Sequence, residues 1–329
     1  MSLLTCNSKS LDETEYPDAA NDEDAIFNGI SREMYKPLQL VEKICQERDL
    51  LRDWHQDIVK APASFDVFLN NHSLNRFPNV LCLDRSRVKI TEEYGTGNYC
   101  HASYVDSYYK KKGYVLTQAP FSAATEEVFW RMVIDVKPKI VLILGSLQST
   151  NGPSMKCFWP EGGEKTYANY VGITVIRAEK GQGIEAMELQ VSARNKELLR
   201  LHLILFKAWK DDILLPDLSG FRRTVRGIEK MSYNKDGPTV LVCASGVTRC
   251  GTYAAIDILL NRIAKEQKVG VQQTIEAILA QRYGCFQFIE HYKAIHDIVQ
   301  SFCMATSSNL SDLVPTRTQK SASTAERSQ

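Results

Sequence analysis

Residues 239–263 read TVLVCASGVTRCGTYAAIDILLNRI, and two side chains in that run could do chemistry together: the Cys243 thiol and the Arg249 guanidinium. An apolar strand pattern ends at Cys243, and an apolar-periodic helix pattern begins close to Arg249. Between them lies a loop of Ala244, Ser245, Gly246, Val247 and Thr248. Successive N–H groups in such a loop converge on one point, and the helix that follows turns its positive dipole end toward the same point. A tetrahedral oxyanion fits there. Arg249 adds a planar fork of donors suited to two phosphate oxygens, and Cys243 at the base is placed to attack phosphorus. The same field favours thiolate over thiol. Taken alone, the spacing also fits an ordinary buried cysteine followed by a surface arginine. The rest of the chain must discriminate.

The elements that would position this loop form an α/β pattern. Strand candidates fall at Asn79–Leu83, Tyr114–Gln118, Ile140–Leu144, Gly172–Ile176 and Leu201–Phe206. Helical spacing covers residues 31–60, Glu126–Val136, Gly220–Met231, Thr252–Glu266 and Val271–Arg282. A mixed sheet flanked by helices follows. Gly95-Thr96-Gly97 and Gly181-Gln182-Gly183 read as hairpin turns, and Lys110 to Lys112 as a solvated loop. Residues 1–29 are acidic and polar, and 305–329 are rich in Ser and Thr, so both are expected to be disordered tails around one domain at 30–304.

Composition narrows the function classes. The chain has 329 residues with 40 Lys+Arg against 39 Asp+Glu, a balance that gives no global attraction to nucleic acid. It shows no signal-peptide pattern and no apolar run near the roughly eighteen residues a membrane span needs. The nine cysteines form neither a disulfide framework nor a CxxC zinc pair, and the six histidines show no metal-ligand spacing. A cytoplasmic, monomeric protein without metal or cofactor is expected.

From about residue 60 to 302 the order and spacing of several motifs resemble the cysteine-dependent protein tyrosine phosphatases. Asn75-Arg76-Phe77-Pro78-Asn79-Val80-Leu81 resembles their phosphotyrosine-recognition loop, and Asn98-Tyr99-Cys100-His101-Ala102-Ser103-Tyr104 their DYINAS-type segment. Thr117-Gln118-Ala119-Pro120 and Phe129-Trp130-Arg131-Met132-Val133 are similar to the TQGP and FWxMV stretches. Lys156-Cys157 with Trp159-Pro160 matches a further strand motif, Trp209-Lys210-Asp211 stands where the mobile WPD loop would be, and Gln281-Arg282 through Phe286-Gln287 resembles the glutamine loop.

The resemblance implies the phosphatase fold, a central mixed twisted sheet flanked by helices, and a metal-free hydrolysis of phosphotyrosine in proteins or peptides. Cys243 would attack phosphorus while Arg249 and the loop amides of Ala244 to Thr248 hold the charged oxygens. Asp211 would protonate the leaving phenolate, and Gln287 would place the hydrolytic water. Phe77 would stack on the substrate ring and Asn79 would grip its backbone.

Where this chain departs from the family's signature, HCSAGVGRTG or close to it, the resemblance implies weakened catalysis. Val242 replaces the histidine behind the cysteine, Cys250 replaces a hydroxyl donor to the thiolate, and both imply a less depressed thiol pKa. Thr248 replaces a glycine and would crowd the loop if its φ had to be positive. Lys210 replaces the WPD proline and leaves Asp212 to compete with Asp211. The stretch Ser146–Met155 has no carboxylate to orient Arg249, Asn79 replaces an aspartate, and His291 replaces a second glutamine. A pseudophosphatase that binds phosphotyrosyl proteins or a kinase without turnover is therefore the alternative. Cys243 and Cys250 flank one short loop and could join on oxidation, although donation from Cys250 to Cys243 is the plainer expectation.

Overall fold

The structure, a computed structural model, describes residues 35–46, 49–52, 64–148, 153–167, 171–194, 196–210 and 216–311. Asp211, Asp212, and the expected tails apart from 305–311 lie outside the described residues. Two short elements, α1 (Pro37–Gln46) and α2 (Asp66–Leu69), precede the sheet. Its strands are β1 (Arg87–Lys89), β2 (Tyr99–Val105), β3 (Tyr114–Gln118), β4 (Ile140–Leu144), β5 (Glu164–Tyr167), β6 (Val171–Lys180), β7 (Ile184–Ala193), β8 (Lys196–Phe206) and β9 (Thr239–Cys243).

The spatial order is β1-β2-β3-β9-β4-β8-β7-β6-β5. The four central strands β3, β9, β4 and β8 run parallel, and antiparallel hairpins extend both flanks. Every residue of β3, β4 and β9 is buried, which is why they read as unbroken apolar runs. Alternation sends Leu116, Leu142, Ile204 and Leu241 to one face and Val115, Val141, Leu203 and Val240 to the other.

Among the described residues a single helix, α3 (Ala123–Val136), covers the second face, its start fixed by a reciprocal capping box between Ser122 and Thr125. The first face lies under α4 (Leu218–Glu229), α5 (Thr248–Glu266), α6 (Val271–Gln281) and α7 (Ile289–Ser311). The last of these continues past residue 304, where the sequence suggested that the domain ends.

Asn79–Leu83 is not a strand. Val80 closes a turn on the Phe77 carbonyl, and the following residues bury Cys82 and Leu83 without joining a ladder. Burial alone produced the strand-like pattern there. The glycine-rich turns and the lysine run do connect antiparallel neighbours, β1–β2, β6–β7 and β2–β3. No helix among the described residues is long and apolar enough to cross a membrane.

Candidate active site

The topology puts β9 between β3 and β4, so Cys243 ends a strand at the carboxyl edge of the parallel sheet, where open α/β folds form their crevices. The Cys243 carbonyl accepts from Ala119 N at 2.8 Å and Gly246 N at 3.2 Å, turning the chain sharply. Gly246 has φ +71°, and a Cβ there would lie 2.3 Å from Gln118 N, so only glycine fits. Two residues later α5 begins at Thr248. Thr248 is helical with negative φ, and the branched side chain is accommodated without the crowding its sequence suggested.

The Cys243 thiol is buried at the pocket floor. Burial alone would raise its pKa, but donation from the Cys250 side chain and amide, the Arg249 charge and the Ser245 hydroxyl together bring it down to about 6. Cys250, driven up by burial and by the neighbouring Cys243, stays a neutral donor. With Val242 and Cys250 in place, the thiol is still pulled below the ordinary cysteine range. Val242 points to the opposite face of β9 and packs in the α3-side core, fully buried. The eight described cysteines are all free thiols.

Arg249 is 3 % exposed. Its Nη1 donates to the Leu144 carbonyl at 3.3 Å, and the guanidinium lies 5.8 Å from the Trp209 ring centre. The arginine passes so close to Gly145 that a Cβ there would stand 1.8 Å from Nη1. Gly145 was not picked out from sequence, although a glycine straight after an apolar strand is the signal that could have found it.

Phe77, Asn79, Cys243, Ala244, Ser245, Val247, Thr248, Arg249 and Gln287 line one pocket, with Val80, Pro153 and Phe288 completing its wall. Gly246 braces the loop from behind. Of the remaining predicted site features, one is not among the described residues and one falls elsewhere. Asp211 lies outside the described residues, and the described chain of that segment stops at Lys210, just after the buried Trp209. His291, expected to alter substrate grip, is instead fully buried, its Nδ1 2.8 Å from the Thr252 hydroxyl, which donates to the Thr248 carbonyl. It supports the first turn of α5.

Three residues quoted only as motif letters prove to hold the wall in place. Gln118, paired with Cys243 across β3–β9, accepts from Arg76 N at 2.9 Å and donates to the Leu74 carbonyl at 2.6 Å. That fixes the Phe77 loop against the thiol strand. Arg282 donates to the Gly246 carbonyl at 3.1 Å, the Ser103 hydroxyl at 3.2 Å and His101 Nδ1 at 3.0 Å. With Nδ1 accepting, His101 Nε2–H is left to donate to the Val80 carbonyl at 2.8 Å. Burial, then the Arg282 charge, lowers the His101 pKa to about 3, so the ring stays neutral.

A family model described as protein-tyrosine phosphatase matches residues 71–301. The chain is 28% identical over 235 residues to the tyrosine-protein phosphatase Lar-like of Caenorhabditis elegans, covering 70% of this chain and 10% of that protein. It is 29% identical to the tyrosine-protein phosphatase Lar of Drosophila melanogaster, with 70% and 11% covered. Human receptor-type tyrosine-protein phosphatase C is 27% identical across 94% of this chain and 24% of its own length. The chain thus spans about a tenth of the length of the first two relatives.

Proposed function

The chain belongs to the protein-tyrosine phosphatase family, and on that footing we propose that it hydrolyses phosphotyrosine in proteins through a cysteinyl-phosphate intermediate. The observation that carries this reading is the buried Cys243 thiol, held at about 6, below an aromatic-walled pocket that also receives Arg249. The thiolate sulfur attacks phosphorus as the bond to the phenolic oxygen breaks, while loop amides and Arg249 hold the phosphoryl oxygens. Asp211 protonates the departing phenolate and then takes a proton from the water that Gln287 directs at the intermediate. That attack cleaves the S–P bond, releases phosphate and returns the thiolate. Phe77 packs against the substrate ring and Asn79 contacts its backbone.

The rate is expected to be weakened, because a thiol replaces a hydroxyl donor at Cys250 and Lys210 replaces the proline beside Asp211. One observation favours the second reading, a phosphotyrosine-binding protein without turnover. The sequence from 146 to 155, where the resemblance puts a glutamate that orients the signature arginine, contains no carboxylate. We further place the protein in a reducing cytoplasm as a monomer, with a catalytic domain that starts near residue 30 and includes the whole of α7 to Ser311.

Hydrolysis of a small aryl phosphate under reducing conditions, beside Cys243→Ser and Asp211→Ala, tests the assignment. Release of phosphate that disappears in Cys243→Ser and falls about 100-fold in Asp211→Ala is the expected result. Equal silence of wild type and Cys243→Ser, with both binding phosphotyrosyl peptide, would replace the enzyme with the binding protein.

A further inference from the structure

The phosphate-binding loop carries two hydroxyls, and they touch each other. Ser245 Oγ lies 3.2 Å from Thr248 Oγ1 and 3.8 Å from Cys243 Sγ, and it accepts from the amides of Val247 and Thr248 at 3.4 Å each. Both side chains are part-buried and line the pocket. A thiolate can only accept, and a serine hydroxyl has one hydrogen. With Cys243 ionised, Ser245 therefore donates to sulfur, and the Thr248 hydroxyl is left to donate to Ser245 Oγ.

We propose that Ser245 is a positioning residue with two linked roles: its hydroxyl, oriented by Thr248, stabilises the Cys243 thiolate, and its oxygen occupies the Val247 and Thr248 amides until an oxyanion displaces it. The proposal rests on the phosphatase reading for its relevance to turnover, while its geometry concerns the resting loop alone. Those amides are two of the donors that would converge on a phosphoryl group. In the resting loop they donate to the Ser245 side chain. An entering phosphoryl group exchanges one acceptor for another, so Ser245 weakens oxyanion binding while it strengthens the nucleophile. The hydroxyl hydrogen donated to sulfur supports the thiol's low pKa, since Ser245 is among the groups that lower it.

The two roles shift two measurable quantities in opposite senses, which a merely structural serine would not do. Iodoacetamide alkylation of Cys243 as a function of pH reads the thiol, and protection of Cys243 by inorganic tungstate reads oxyanion binding. Neither needs turnover, so a catalytically silent protein would overturn the phosphatase reading and leave this test intact. In Ser245→Ala the alkylation midpoint should rise by roughly half a pH unit. Tungstate protection, compared at pH 8 where both thiols are ionised, should tighten roughly threefold because the amides no longer have an internal acceptor. Thr248→Val, which removes the second hydroxyl and keeps its shape, should raise the midpoint by a smaller amount. An unchanged midpoint in both variants overturns the thiolate role. A raised midpoint with weaker tungstate protection overturns the amide role, because a loop that has simply loosened behaves that way.

Discussion

At the scale of single residues, Cys250 decides how well the loop ionises its nucleophile. It occupies the first turn of α5 beside Cys243, fully buried, and is held neutral by that burial and by its neighbour. A neutral thiol is a weak donor, yet between two buried groups a weak donor aimed at an anion still counts. Its loss has a definite sign. Removing a donor to the ionised form raises the pKa, so Cys250→Ala should move Cys243 alkylation from a midpoint near 6 to one about a pH unit higher. Cys250→Ser, with a stronger donor, should leave the midpoint at or below 6. A midpoint identical in all three proteins would remove Cys250 from the account. This level of detail was only partly legible in the sequence. The spacing of Cys243 and Arg249 between a strand and a helix pattern announced the chemistry, because backbone geometry follows from those patterns. Which of Ser245, Thr248 and Cys250 reaches the sulfur depends on side-chain directions within one turn, and periodicity says nothing about those.

At the scale of elements, Arg282 joins three pieces that the chain supplies far apart. It closes the end of α6 with no exposure, and its donors reach the Gly246 carbonyl in the loop and the Ser103 and His101 side chains on β2. His101 then passes the constraint to Val80, on the pocket wall beside Phe77. Arg282→Met fills the volume but leaves three acceptors without their donor. A destabilisation of roughly 3 kcal/mol is expected in urea unfolding, since each stranded polar group carries its own desolvation cost. Tungstate protection of Cys243 should weaken as well, because Gly246 loses the support behind it. A stability loss with unchanged protection would mean that Arg282 joins the elements without setting the loop. Sequence patterns located α6 and β3, β4 and β9 closely. They misread Asn79–Leu83 as a strand because the buried Cys82 and Leu83 there mimic strand spacing, while the contacts that tie this stretch down run from His101 to the Val80 carbonyl and from the Cys82 thiol to the Ala102 carbonyl.

At the scale of the whole molecule, the same economy of burial that keeps the sheet dry also makes the fold sensitive to acid. His101 on β2 and His296 on α7 are both enclosed, His296 against the Tyr292 ring at 4.9 Å, and burial lowers each to about 3. His202 is lowered too, again by burial first, with Glu188 opposing. The unfolded chain would take up protons on these rings near pH 6.5, whereas the folded chain refuses them. A depressed folded pKa means that the stability is fully present above about 6.5 and is lost as pH falls from there toward 3. Each ring that stays neutral removes roughly 1.4 kcal/mol per pH unit across that window. Asp257 acts lower down. Burial raises its pKa, but Arg222 and Arg226 more than offset that and hold it below the usual carboxylate value, so its contribution disappears only as pH falls below about 4. Urea midpoints at pH 7.5 and 5.5 separate the two. Wild type should lose stability between those values, above the range in which Asp257 loses its contribution, and His296→Leu should lose about one histidine's share less. Parallel losses in the two proteins would mean that His296 is protonated in the folded state, and the acid sensitivity would then belong to His101, His202 and the Cys243 thiol.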